Sequence, residues 1–253
     1  MIKASGIYKS FGSNEVLKGI DVIFEQGKNN LIIGRSGAGK TVLLKLLVGL
    51  LSPTDGTVFY DDIDFYQLSK KEVRSIRMKV GMLFQGSALF DSMTVEENVR
   101  FPLDMFTDMT RKEKVMRVND CLERVELTGT NNLYPSEASG GMQKRVGIAR
   151  AIVLQPEYLF CDEPNSGLDP KTAILIDKLI DGITKERNIT TVINTHDMNS
   201  VMGIGDHIIL LHQGKLAWEG EKSQVLGSTN ETLQNFIFAS PFLQRLRDAA
   251  LNP

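Results

Sequence analysis

Cysteine is scarce in this 253-residue chain, with only Cys121 and Cys161 present. Neither lies near another Cys or a His at metal-ligand spacing, which argues against a zinc site, and two thiols make no disulfide framework. Both read as small buried apolar side chains. Long apolar runs are also missing. A bilayer span needs about 20 apolar residues, and stretches such as Val42–Leu51 are short and broken by Lys45. The opening MIKASGIYKSFG has no apolar segment of the secretory kind. The chain is therefore not expected to span a membrane, and would serve one only by docking to a partner. Excess charge is missing too. A net charge of −2 and a pI near 6.0 give no basic footprint, so no nucleic-acid partner is expected. What remains, 42% hydrophobic and 24% charged residues, is an ordinary globular composition. The length suits one large domain or two intimately joined subdomains, large enough to need no covalent staples.

Strand and helix signals alternate along the chain. Val16–Phe24 and Leu31–Ile33 read as strands, the latter ending at Gly34. Thr41–Leu51 is Leu-rich and reads as a helix, Pro53–Gly56 as a turn, and Thr57–Tyr60 as a further strand. Val80–Phe84 is a strand leading to Gln85. From about Ser87 to Gln155 apolar and charged residues mix at helical spacing, as in Arg111–Val125, which predicts an inserted helical subdomain. Tyr158–Cys161, Thr190–Asn194 and His207–Leu211 are short apolar strands, with a helix over Lys171–Arg187. Such alternation predicts an α/β fold with a mainly parallel, covered sheet. The organisation that follows is 1–86 and 157–227 as two parts of one core, 87–156 as the helical subdomain, and 228–253 as a C-terminal extension. In that extension Leu233, Phe236, Ile237, Phe242, Leu243 and Leu246 suggest one or two short helices.

Gly34-Arg-Ser-Gly-Ala-Gly-Lys40-Thr41 matches G-x-x-x-x-G-K-[ST] between a strand and a helix, the context that motif requires. Glycines at 34, 37 and 39 let the backbone wrap phosphates through φ values other residues avoid, so that successive N–H groups, with Ser36 among them, face the anion. Lys40 brings positive charge to the β/γ-phosphates, and the Thr41 hydroxyl can ligate Mg²⁺. Tyr158-Leu-Phe-Cys-Asp162-Glu163 supplies the carboxylates. Asp162 emerges at the C-terminal edge of a buried strand, where α/β sheets bind ligands, and suits Mg²⁺, a hard ion that keeps much of its hydration. Glu163, one residue on, can face the attacking water as general base. An acidic pair after a strand can also be a solvated loop; a complete P-loop in the same chain favours the catalytic reading.

Three further features bear on the site. Gln85 follows a strand, where its amide could contact both the metal and a moving subdomain. Ser139-Gly140-Gly141-Met142 opens the helical run Gln143–Val153, making a second phosphate-binding helix start far from the first. Two such starts suit one nucleotide gripped by two copies. His196 follows the strand Thr190–Asn194, where an imidazole can reach the γ-phosphate.

Together these residues resemble the nucleotide-binding subunit of an ABC transporter, over about Ile2 to Leu226. GRSGAGKT is similar to the Walker A motif, Gln85 to the Q-loop, ASGGM to the signature, LFCDE to the Walker B, Ser166-Gly-Leu-Asp169 to the D-loop and His196 to the switch histidine. The resemblance implies a P-loop NTPase core of the RecA type with an N-terminal antiparallel β region, and ATP hydrolysis with Mg²⁺ held by Thr41, Gln85 and Asp162. It implies a head-to-tail homodimer sandwiching ATP, in which Ser139 and Gly141 act in trans while Glu163, His196, Lys40 and Gln85 carry the chemistry. It also implies that Phe11 stacks on adenine, although an ordinary core Phe remains an alternative. Integral membrane permease subunits would be partners. Leu89, Phe90 and Met93 would line the groove for a permease coupling helix, or be ordinary core residues. Departures from the family pattern are Ala138 for Leu, Met142 for Gln, Gly167 for Ala and Thr195 for Ser. None removes a charged catalytic group, and Met142 bears on how the partner's ribose is contacted.

The segment Phe84–Val99, SGGM and the extended tail further resemble the ATPase of Mla/Mce-type lipid transporters. That resemblance implies phospholipid movement between inner and outer membranes, a peripheral place on the cytoplasmic face of the inner membrane, and an Mce-domain protein and small regulator as further partners. The rival readings are another importer or exporter, a soluble ABC ATPase, and a P-loop kinase or GTPase. A soluble ABC ATPase usually carries two sets of motifs or long arms. A kinase or GTPase would lack the signature, and no guanine-reading N-K-x-D occurs here.

Overall fold

The computed structural model describes residues 1–239 as two sheets with helices on both sides. The chain runs through β1 (Ile2–Phe11), β2 (Asn14–Phe24), β3 (Asn29–Ile33), α1 (Lys40–Leu47), β4 (Asp55–Tyr60), β5 (Ile63–Asp64), α2 (Lys70–Met78) and β6 (Val80–Leu83). There follow α3 (Val95–Phe106), α4 (Arg111–Arg124), α5 (Gly140–Ile152), β7 (Tyr158–Asp162), α6 (Pro170–Arg187), β8 (Thr190–Asn194), α7 (Met198–Ile204), β9 (His207–His212), β10 (Lys215–Gly220), α8 (Lys222–Val225) and α9 (Glu231–Ile237). The large sheet has the order β10-β9-β3-β8-β7-β6, and every pairing in it is parallel except β10 with β9. The smaller sheet, β2-β1-β4-β5, is wholly antiparallel. This is the α/β architecture expected, with its antiparallel region at the N-terminus.

Period-two alternation in the large sheet sorts the core into two layers. Ile32, Phe160, Val192, Ile209 and Leu211 face the antiparallel sheet and α1, packing with Phe24, Leu43, Leu44 and Tyr60. Leu31, Ile33, Leu159, Cys161, Ile193, Ile208 and Leu210 face the other way, into a cluster shared with Val99 of α3, Leu122 of α4 and Ile148 of α5. The helical stretch thus shares a continuous apolar layer with the sheet. Tyr60 fastens the two sheets, with its ring edge-on to Tyr158 at 4.8 Å and its hydroxyl donating to the Leu47 carbonyl at 2.8 Å.

Helix starts follow local chemistry. Ser69, Thr94 and Thr110 each accept from the backbone N–H three residues on, and Glu72, Glu97 and Glu113 reach back, making three capping boxes. Asp169 caps α6 just before Pro170. The helix expected over Thr41–Leu51 ends earlier, at Leu47. Gly49 takes φ 75°, a left-handed conformation that terminates the turn, and a side chain there would strike the Phe65 ring. β1, α2 and β10 carry no clear signal in the sequence. β1 is broken by register shifts, and β10 is a short edge strand with a register shift between Leu216 and Trp218. Of the tail, α9 forms over Glu231–Ile237 with Leu233 and Ile237 buried; Phe242, Leu243 and Leu246 lie outside the described residues. No helix among the described residues is long and apolar enough to cross a membrane.

Candidate active site

The site lies at the C-terminal ends of β3, β7 and β8, three adjacent parallel strands with β8 in the middle. The loop after β3 depends on glycine at 34 and 39. Gly34 has φ 148°, and a Cβ there would lie 2.4 Å from the Leu211 carbonyl oxygen; Gly39 has φ 102°, and its Cβ would meet Leu17 at 2.6 Å. The backbone is thus forced into a cradle whose open side faces solvent, and α1 begins inside it. Gly39 supplies no side-chain cap, so the first N–H groups of α1 point into the cavity unpaired by any cap. The Lys40 ammonium donates to the Gly34 carbonyl at 2.8 Å, bracing the loop across its mouth. Burial lowers its pKa, and the nearby Glu163 and Asp162 carboxylates oppose that.

Asp162 ends β7, buried. Its Oδ1 accepts from the Asn194 amide at 3.0 Å and from the Thr41 hydroxyl at 3.3 Å. The next residue, Glu163, turns out of the sheet at φ 49°, a left-handed conformation that costs a non-glycine residue about 1–3 kcal/mol. Its N–H donates to the Asn194 carbonyl at 3.0 Å, and its carboxylate lies 2.7 Å from His196 Nδ1. The turn aims Glu163 over the cradle instead of along the strand. Gln85, past the end of β6, donates its amide to the Ser166 hydroxyl at 3.4 Å, joining the loop after β6 to the loop after β7.

Gln85, Glu163 and His196 line one cavity of about 630 Å³, together with Gly34, Ser36, Gly37, Gly39, Lys40 and Thr41. The cavity holds Gln85, Glu163 and His196 opposite the phosphate loop, with Asp162 beneath Thr41. Asn14, Val16 and Phe236 also line it, none of them marked by a motif. Phe11 does not: it is exposed, with the Lys9 ammonium 5.1 Å from its ring centroid. Ser139 and Gly141 are elsewhere, at the start of α5, where the Ser139 hydroxyl accepts from the Met142 N–H at 3.3 Å. Phe90 is exposed beside Phe101 in a separate apolar groove; Leu89 is part-buried against the core. Cys121 and Cys161 are both buried and free, and burial pushes both thiols up, away from reactivity.

The donors beside the loop are hard oxygens and few in number. Among the described residues no group of three or more His, Cys, Asp or Glu could hold a metal. Thr41 and Asp162 offer hard oxygens beside the phosphate cradle, so a cation would take its remaining ligands from phosphates and water, as Mg²⁺ does.

The sequence profile described as "ABC transporter" matches residues 17–166 of the chain. The chain belongs to the ABC transporter family. It is an ATP-binding subunit of that family and an ATPase. The probable ribonucleotide transport ATP-binding protein mkl of Mycobacterium leprae is 37% identical over 93% of this chain and 68% of its own length. The methionine import ATP-binding protein MetN 2 of Bacillus cereus is 39% identical over 92% of this chain and 69% of its own. This chain thus spans about two thirds of the length of these relatives. Among solved cassettes, the dimer of MJ0796 in a post-hydrolysis state with ADP and Pi superposes with a TM-score of 0.81 at 33% identity, covering 88% of this chain and 99% of that one. CbiO1 of Clostridium perfringens, part of the cbiONQ transporter complex, gives 0.83 at 28% identity, covering 98% of each chain.

Proposed function

We propose that this ABC ATPase works as a head-to-tail homodimer that hydrolyses ATP to drive phospholipid transport of the Mla/Mce type, docked on permease subunits at the cytoplasmic face of a bacterial inner membrane. One observation carries the enzymatic half. Lys40, Thr41, Gln85, Glu163 and His196 converge on a single cavity whose floor is an uncapped helix start. Phosphoryl transfer needs mainly positioning and charge neutralisation, and each group has a place in that. The cradle N–H groups and Lys40 bind the β- and γ-phosphates. Thr41, Asp162 and Gln85 would hold Mg²⁺, which when bound neutralises phosphate charge. The Glu163 carboxylate accepts a proton from the attacking water. His196, at hydrogen-bond distance from Glu163, orients that carboxylate and reaches the transferred group. Ser139 and Gly141 lie outside the cavity of their own chain, which suits donation to the nucleotide of a second copy. Phe11, exposed at the end of β1, is free to stack on adenine.

The transport half rests on the segment after Gln85, the SGGM signature and the tail. The apolar groove with Phe84, Phe90, Phe101 and Phe106 suits an apolar segment of a permease. The names of the relatives, ribonucleotide transport and methionine import, support a second reading in which the cargo is a small polar solute. Affinity capture from detergent-solubilised membranes, followed by reconstitution, separates the two. Stimulation of ATPase activity by phospholipid, with an Mce-domain protein and a small regulator recovered, supports the first. Stimulation by methionine or ribonucleotides instead overturns it.

A further inference from the structure

α5 carries the signature at its first turn, and its flank is stitched to the loop after β6 at three positions spaced three residues apart, a single helix face. Lys144 is buried, and its ammonium donates to the Gln85 carbonyl and, at 3.4 Å, to the Glu163 carbonyl. Gly147 allows close approach: a Cβ there would lie 2.7 Å from Leu83 and 3.5 Å from the Ser87 Cβ. Arg150 donates to the Ser87 carbonyl at 2.5 Å and the Ala88 carbonyl at 2.8 Å. Three of the four residues whose carbonyls are so held, Ser87, Ala88 and Glu163, take positive φ.

Lys144 is unusual among these. Buried lysines are rare unless paired, yet among the described residues it forms no ion pair and spends its donors on two neutral carbonyls. A neutral side chain would fill the same space without desolvating a charge. A cation binds two carbonyl dipoles from separate loops, 78 residues apart in sequence, more strongly than a neutral donor does, and so fixes both.

We infer that Lys144 is a positioning residue for ATP hydrolysis, tying the signature helix, the backbone of Gln85 and the backbone of Glu163 into one body. Arrival of a second copy at Ser139 would then be felt five residues later at Lys144, and from there at the turn that aims the Glu163 carboxylate. This rests on Glu163 acting as the general base.

The test is Lys144→Met in the full chain, with phosphate release, affinity for a non-hydrolysable ATP analogue and thermal melting measured side by side. The expected result is a fall in kcat of tenfold or more, with analogue affinity within about twofold of wild type. Lys144→Arg, which keeps the cation, should recover at least a third of kcat. A helix that merely packs badly would lose affinity and turnover together. That outcome, or a kcat within twofold of wild type, overturns the inference. If Lys144→Met does not fold, Lys144→Ala, which also removes the donors, is read by the same criteria. Glu163→Gln assayed in parallel separates the premises: persistent turnover there removes the general-base role whatever Lys144 does.

Discussion

Two helices of this chain begin at glycine-rich turns, and they solve the same problem oppositely. α1 starts at Gly39, which offers no side chain to its first N–H groups. α5 starts at Ser139, whose hydroxyl satisfies the Met142 N–H. The other long helices, α2, α3, α4 and α6, are likewise capped by Ser69, Thr94, Thr110 and Asp169. A capped start is complete by itself. An uncapped one leaves donors seeking an anion, and only α1 of these helices is placed under a cavity with a lysine beside it. The difference teaches that the phosphate half leaves helix donors open to a ligand, while the signature half is satisfied within its own chain; the proposed donation to a second copy would exchange that serine contact for an outside one.

The largest effect expected bears on what lies opposite α1. Glu163→Gln should lower kcat by at least 100-fold, since general bases contribute about 10²–10⁴, while preserving ATP binding and stabilising a nucleotide-bound dimer seen by light scattering. Unchanged hydrolysis would remove Glu163 from that role. Lys40→Ala should weaken ATP binding by about 10- to 100-fold by calorimetry, the range of a charged hydrogen bond worth roughly 1.5–3 kcal/mol. A change under threefold would mean that the uncapped helix start alone suffices. Ser139→Arg sharpens the contrast from the other end. Turnover should fall about tenfold or more, with ATP affinity of the monomer within twofold. Equal loss of both would place Ser139 in the site of its own chain. Ser139→Ala, which removes only the cap, should cost about 1 kcal/mol of stability in urea unfolding.

The smallest effect concerns pH. Burial lowers the pKa of both Lys40 and Lys144 below the ordinary lysine value. The folded chain therefore gives up these protons at lower pH than the unfolded chain does. Nucleotide-free stability should rise with pH across the interval between the folded and the unfolded lysine pKa, and be lost as pH falls through the folded value. ATP affinity should move the other way, because binding needs the charged Lys40. Affinity that held steady across that interval would show that the cradle N–H groups dominate.

The motif residues were legible because spacing encodes a backbone path: a strand, three forced glycines and a helix leave little choice of geometry for Lys40 and Thr41. The strand core Tyr158–Cys161 is legible because full burial demands an unbroken apolar run, and Thr190–Asn194 because β-branched Thr, Val and Ile dominate it. β1 and β10 are not, since register shifts in both scramble the alternation that marks a strand. The end of α1 was misplaced because Leu50 and Leu51 continue the apolar pattern past the residue that actually stops the helix. Lys144 and Asn194 carry no motif at all. Their roles arise from carbonyl and carboxylate groups that only the folded chain brings near, and a lysine in a polar helical run looks like any solvated one.

The pairing of β3 has one more implication, for synthesis. Its hydrogen-bonded neighbours are β8 and β9, with Asn30 opposite Val192 on one side and His207 on the other. Chains emerge N-terminal end first, at about 5–20 residues per second. The phosphate loop thus leaves the ribosome early but has no flanking strand until β8 begins at Thr190, and lacks the second until β9 begins at His207. A nascent fragment can therefore hold the full GRSGAGKT string well before the strands that brace β3 exist.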